Sequence, residues 1–160
     1  MTAAEYNQCV DKHADGVYRF VLKNLRDEET AKDIVQEVFA RMWEKAPQID
    51  AAKSKSYLFT SAYHTLIDTL RHDNRYTSIE YHEPMSYEPR SYTGIRQTLE
   101  EALSKLPAAQ KAVVMLRDYE GYSYAEISEI TGLSESQVKV YIYRARNALK
   151  NYLVSVDNVI

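Results

Sequence analysis

The side chains best suited to chemistry gather near the end of the sequence. The stretch "YSYAEISEITGLSESQVKVYIYRARNALKNYL", Tyr122 to Leu153, carries Lys139, Arg144, Arg146 and Lys150 on what reads as one helix. Glu135, Ser136, Gln137, Lys139, Val140, Tyr143 and Arg144 fall on the face opposite Val138 and Ile142. These residue types suit a major groove: Arg and Lys pair with guanine, Gln with adenine, and Val touches a thymine methyl. Catalytic chemistry has no comparable cluster. The sequence holds no Gly-rich phosphate loop, no G-x-S-x-G elbow and no H-E-x-x-H pair, so nothing in it reads as an enzyme or as taking a small-molecule substrate. His64, Asp68 and His72 stand at i, i+4, i+8, a spacing that metal ligands use, but no cysteine or glutamate nearby completes a set. Cys9 and His13 offer only two ligands. No metal and no cofactor is expected.

These residues must be placed by helices. Ile127 is the inward residue of a short helix, Ser128 the small residue where two helices touch, and Ile130 the apolar residue before a turn. Gly132 supplies the positive φ of a sharp helix exit. Leu133 plugs the angle, Ser134 with Gln137 forms a capping box, and Val138 and Ile142 anchor the second helix. This is the spacing of a DNA-binding helix-turn-helix, whose second helix enters the groove with its first turns foremost. A plain helical hairpin with a solvated basic face is the blander reading. The agreement of cap, glycine, small residue, anchors and basic face at once favours DNA.

Upstream, Thr2 with Glu5 caps a helix running to about Leu25, with Val10, Val17, Val21 and Leu25 at helical spacing. A second helix starts near Asp27; its apolar series Ala31, Ile34, Val35, Val38, Phe39, Met42 and Trp43 is strongly amphipathic. A third begins after Ser54 or Ser56, uses Leu58, Phe59, Ala62, Leu66, Ile67 and Leu70, and frays near Asn74. Arg75 to Gly94, rich in Tyr and Ser and holding Pro84 and Pro89, has no sustained period and reads as a linker. The expected fold is all-α: two small helical domains, residues 1–75 and 95–160, joined by a flexible linker at 76–94, the second domain a helix-turn-helix.

Composition bounds the partners. The 160 residues carry a net charge of −3, with four glycines, four prolines and a single cysteine. One cysteine agrees with a reducing cytoplasm. No apolar run reaches the roughly 20 residues of a membrane span, and the N-terminus lacks the form of a secretory signal. Proteins that rely on phosphate contacts alone tend to be basic. An acidic chain ending on a basic helix makes sense if a larger partner supplies most of the nonspecific DNA affinity.

Leu106 to Leu153 resembles the C-terminal domain of bacterial sigma factors, in particular the two-domain extracytoplasmic-function group. "AKDIVQEVFARMWEK", Ala31 to Lys45, resembles that family's helix that docks on the polymerase clamp, and "SYLFTSAYHTLIDTLRHDNR", Ser56 to Arg75, its helix that opens and reads the minus-ten element. The resemblance implies core RNA polymerase and promoter DNA as partners, with an anti-sigma factor as regulator. It implies that Asp33, Gln36, Glu37 and Arg41 face the polymerase, while Ile34, Val38, Phe39 and Trp43 belong to the core. The loop Ala51 to Lys55 and the start of the third helix would hold a flipped base. His64, Asp68, Arg71 and Arg75 would lie along melted DNA; Arg117, Lys139, Val140 and Arg144 would contact the minus-thirty-five element, with Ser136, Gln137 and Tyr143 on the same face. Strand opening also needs stacking platforms and cations, which Lys53, Lys55 and Tyr57 offer, together with Phe59 and Tyr63, although Phe59 suits the core better. The chain departs from the family at Tyr57 (usually Trp), His64 (usually Asn), Gln137 (often Thr) and Tyr141 (often Arg), so promoter sequence does not carry over. A helix-turn-helix regulator acting without polymerase and a helical protein-binding adaptor are the competing readings.

Overall fold

Thr2 opens the first helix as a full capping box: its hydroxyl accepts the Glu5 N–H at 3.1 Å and the Glu5 carboxylate accepts the Thr2 N–H at 2.9 Å. The computed structural model describes residues 1–77 and 94–157. Helix α1 spans Ala3–Leu25 and α2 spans Glu28–Lys45. Two 3-10 turns, Ala46–Gln48 and Ala51–Lys53, lead into α3, Ser54–Thr77. Then come α4 (Gly94–Ser104), α5 (Ala108–Asp118), α6 (Tyr124–Thr131) and α7 (Glu135–Asp157). Among the described residues there is no strand. Helix α3 runs past the expected fraying point at Asn74; the proposed linker otherwise lies almost wholly outside the described residues.

Arg26 ends α1 in the left-handed conformation, φ 60°, with its N–H on the Leu22 carbonyl. Asp27 then caps α2, and its bonds from Thr30 and Glu29 hold its carboxyl below the usual range. The tight turn lays α2 back along α1, and α3 closes the bundle over both. Val17, Phe20, Val21, Ala31, Val38, Met42, Leu58, Ala62 and Leu66 fill its core. Trp43 does not join them: it is 50% exposed and sits edge-on to Tyr6, with ring centres 4.9 Å apart. At 3.6 residues per turn, position 43 lies about 120° around the helix from Ala31, past the edge of the stripe that the apolar series suggested.

In the second half, α5, α6 and α7 enclose Ala112, Val113, Leu116, Ile127, Ile130, Val138, Ile142 and Ala145. Lys111 to Leu116 are buried without interruption. A helix apolar nearly all round needs neighbours on every side, and α5 has them: α6 and α7 behind, α1 and α3 in front. The two halves therefore share a core. Phe59 of α3 stands between Phe20 and Tyr122, edge-to-face with each at 5.6 Å. Phe59 is thus a core residue, as its second reading held. Polar contacts frame this seam: Lys55 Nζ lies 4.9 Å from the Tyr122 ring centre, Lys23 Nζ 4.1 Å from that of Tyr119, and Arg26 Nη2 donates to the Glu100 carbonyl at 2.6 Å. The Tyr122 hydroxyl, buried among these elements, has no hydrogen-bond partner among the described residues.

Candidate nucleic-acid and polymerase interface

The helix-turn-helix is built from local bonds. Ser123 and Glu126 form the capping box of α6. Gly132 leaves α6 with φ 79°, where an L side chain would be strained. The Ser128 hydroxyl donates to the Leu133 carbonyl at 2.6 Å, and Thr131 Oγ1 accepts the Leu133 N–H at 3.2 Å, so the turn is tied from both sides. Ser134 Oγ accepts the Gln137 N–H and Gln137 Oε1 accepts the Ser134 N–H, both at 3.1 Å. The Gln137 oxygen is thereby used in the cap, which leaves its NH2 group to point outward. Ser136, Lys139, Val140, Tyr143 and Arg144 are all exposed, Tyr143 at 71%.

Arg117 is more enclosed. Its Nη1 donates to the Tyr122 carbonyl at 2.9 Å and its guanidinium lies 4.6 Å from the Tyr124 ring centre; Lys139 Nζ lies 5.7 Å from the same ring. Arg146 reaches Asp118 at 2.6 Å and braces α7 against α5. The basic face is therefore narrower than the run of cations in the sequence suggested.

On α2, Asp33, Glu37 and Arg41 project into solvent on three successive turns, with Gln36 beside them. Glu37 and Arg41 form an ion pair, and Arg41 also reaches Thr65 on α3. The ridge is polar, continuous and free of the core.

The third surface surrounds the start of α3. Asp50 caps the turn before it by accepting the Ala52 N–H at 3.1 Å, and Ser54 donates to the Ala51 carbonyl at 2.8 Å. Lys53 is exposed and Lys55 and Tyr57 are half-buried, while His64, Asp68 and Arg71 line the open side of α3. Arg75 belongs to α3, but its side chain lies outside the described residues. Tyr63, offered as a stacking platform, is only 5% exposed and packs edge-on to His64, so it belongs to the core. Against the turn opens a cavity of about 390 Å³. One wall is the turn, with Ala51, Ser54 and Lys55. The other is α1, with Glu5, Gln8, Lys12 and His13. Burial, with Lys12 and Lys55 close by, holds the His13 imidazole below its usual range and favours its neutral form. The α1 wall was missed in the sequence. Glu5, Gln8 and Lys12 fall at i, i+3, i+7 on the polar side of α1, a signal that would have placed them on one face.

A polar ridge on α2, a polar recess lined by Lys12, His13 and Lys55 at the start of α3, and a helix-turn-helix with exposed cations thus lie on one all-α chain. Residues 9–76 match the family "Sigma-70 region 2" and residues 96–149 match "Sigma-70, region 4". The RNA polymerase sigma factor YlaC of Bacillus subtilis is 31% identical over 146 residues, covering 84% of this chain and 83% of the relative. The ECF RNA polymerase sigma factor SigL of Mycobacterium tuberculosis is 31% identical over 157 residues, covering 92% and 88%. Among solved structures, the sigma factor RpoE of Bartonella quintana, in complex with the anti-sigma factor NepR, superposes with a TM-score of 0.77 at 24% identity, covering 92% of this chain and 96% of that one. The chain belongs to the RNA polymerase sigma factors of the extracytoplasmic-function group. Proteins of this group direct transcription initiation.

Proposed function

We propose that this chain is an alternative sigma factor whose three surfaces have separate tasks. The α2 ridge of Asp33, Gln36, Glu37 and Arg41 docks on core RNA polymerase. Lys53, Lys55, Tyr57, His64, Asp68, Arg71 and Arg75 engage the opened minus-ten strand, and the recess between α1 and the Ala51–Lys55 turn receives an extruded base. Arg117, Ser136, Gln137, Lys139, Val140, Tyr143 and Arg144 meet the minus-thirty-five element. The observation that carries this reading is the separation of an exposed polar ridge on α2 from an exposed basic face on α7, within a chain of net charge −3. Such a chain has little nonspecific hold on DNA of its own and needs a partner that supplies it.

The protein works as a non-enzymatic subunit in the cytoplasm; no helix among the described residues is long and apolar enough to cross a membrane. An anti-sigma factor is a further partner, a reading supported by the fold shared with RpoE, which was solved with one bound. Run-off transcription with purified core polymerase, with and without the protein, is the test. Promoter-specific transcripts are expected only with it. Binding of the free protein to a palindromic duplex, without any effect on polymerase, would make it an independent regulator instead.

A further inference from the structure

At the seam, and sharing no residue with the three surfaces, lies a second cavity of about 300 Å³ whose walls come from both halves of the chain. Arg19, Lys23 and Arg26 enter it from α1, Lys111 and Tyr119 from α5, and Glu100 from α4. Four cations thus face one carboxylate. Among the described residues none of the four is in an ion pair. Arg26 and Lys23 have only neutral partners, the Glu100 carbonyl and the Tyr119 ring. Lys111 is 6% exposed, in a helix otherwise buried by apolar side chains. A buried ammonium that shares one carboxylate, Glu100, with three other cations is costly to the folded state, and packing alone would be met better by Met or Leu.

We propose that this cavity is a binding site for a small phosphate-bearing ligand, held by Arg19, Lys23, Arg26 and Lys111. Guanidinium groups fit phosphate oxygens with paired N–H donors, and a buried ammonium adds a point charge at the base. The volume is at the low end for ligand sites and suits a pyrophosphate or a compact phosphate ester rather than a large cofactor. The Tyr119 ring and the leucines of the wall leave room for an apolar or aromatic ester group. Since burial and the nearby Arg26 already press Lys111 to lose its proton, an anion would hold that proton in place. A ligand bridging α1 and α5 also binds the closed form of the molecule better than an open one and shifts the population toward it.

The inference stands apart from the promoter reading, because it is tested on the free chain without polymerase or DNA. Sodium pyrophosphate and phenyl phosphate are titrated by calorimetry against sodium chloride at matched ionic strength. Saturable binding of about one ligand per chain is expected, weakened about tenfold or more in Lys111→Met and unchanged in Lys45→Met, an exposed lysine of α2 outside the cavity. If Lys111→Met does not fold, an Arg19→Gln, Lys23→Gln double variant carries the same expectation. Binding that is absent, that never saturates, or that survives these variants overturns the proposal.

Discussion

Lys111 is the side chain whose surroundings sit least easily with its charge. Burial first, then repulsion from Arg26, push its ammonium down to about 8 from an ordinary 10.5, and Glu100 offsets this only in part. Below about pH 8 both the folded and the unfolded chain hold the proton, and the folded state carries the whole cost of burying it. As pH rises from about 8 the folded chain releases the proton while the unfolded chain keeps it, so stability increases, by up to about 3 kcal/mol over the full interval. Tyr122 acts in the opposite sense above pH 10, because burial raises its phenol and the unfolded chain ionises first. Urea midpoints between about pH 7 and 9.5 should therefore rise for the natural chain and stay flat for Lys111→Met. On the DNA face, Arg144 is exposed with its guanidinium available, whereas Arg117 is tied to the Tyr122 carbonyl and the Tyr124 ring. In transcription from a library randomised in the upstream promoter element, Arg144→Ala should relax preference at one or two positions, worth about 1–3 kcal/mol of discrimination. Arg117→Ala should lower output from every sequence and leave the preference intact.

Each helix is held by its ends as much as by its face. Ser134→Ala removes the acceptor for the Gln137 N–H at the start of α7 and should cost about 1 kcal/mol in thermal or urea unfolding. The backbone N–H at position 134 still donates to Gln137 Oε1, so that side chain keeps its place and base preference should be unchanged. On α2, Gln36→Ala with Glu37→Ala leaves the buried stripe untouched and should abolish capture of core polymerase while the circular dichroism spectrum is kept. These ends and stripes were legible in the sequence because they are local. Thr2 with Glu5, Ser134 with Gln137 and Gly132 announce themselves within a few residues, and the 3.6 period marks α2 and α7. Trp43 was misread because a series of apolar letters hides a slow rotation about the helix axis. Tyr63 was misread because an aromatic near a nucleic-acid surface looks the same whether it faces in or out. The α1 wall of the proposed minus-ten recess, and the whole second cavity, depend on which helices meet. No pattern along one helix contains that information.

At the scale of the whole molecule, the seam sets two arrangements against each other. With α3 packed on α6, Lys55 is drawn over Tyr122, and so part of the proposed strand-opening surface faces the second domain. A promoter complex that uses Lys55 in the proposed way requires this contact to loosen. The Tyr122 hydroxyl, unpartnered among the described residues, makes the closed arrangement less stable than its apolar contacts alone would allow. Tyr122→Phe removes that buried orphan group and should favour the closed form by about 1–3 kcal/mol. Tyr122→Ala, which removes the ring beside Phe59, should do the reverse. Fluorescence energy transfer between dyes on α2 and α7 should report a more closed population for the first variant and a more open one for the second. Transcription at limiting polymerase should fall and rise accordingly.

Cys9 is the one thiol of the chain and is 5% exposed on α1. It acts as a built-in clock for the first domain. A thiol reagent reaches it only as often as α1 lifts from its neighbours, so the modification rate measures local opening in the way amide exchange does, with a single site to read. Docking of α2 on polymerase should slow that clock. Opening of the seam alone, which leaves the three-helix bundle intact, should barely change it. Domain separation and bundle breathing can thus be timed separately in the unaltered protein.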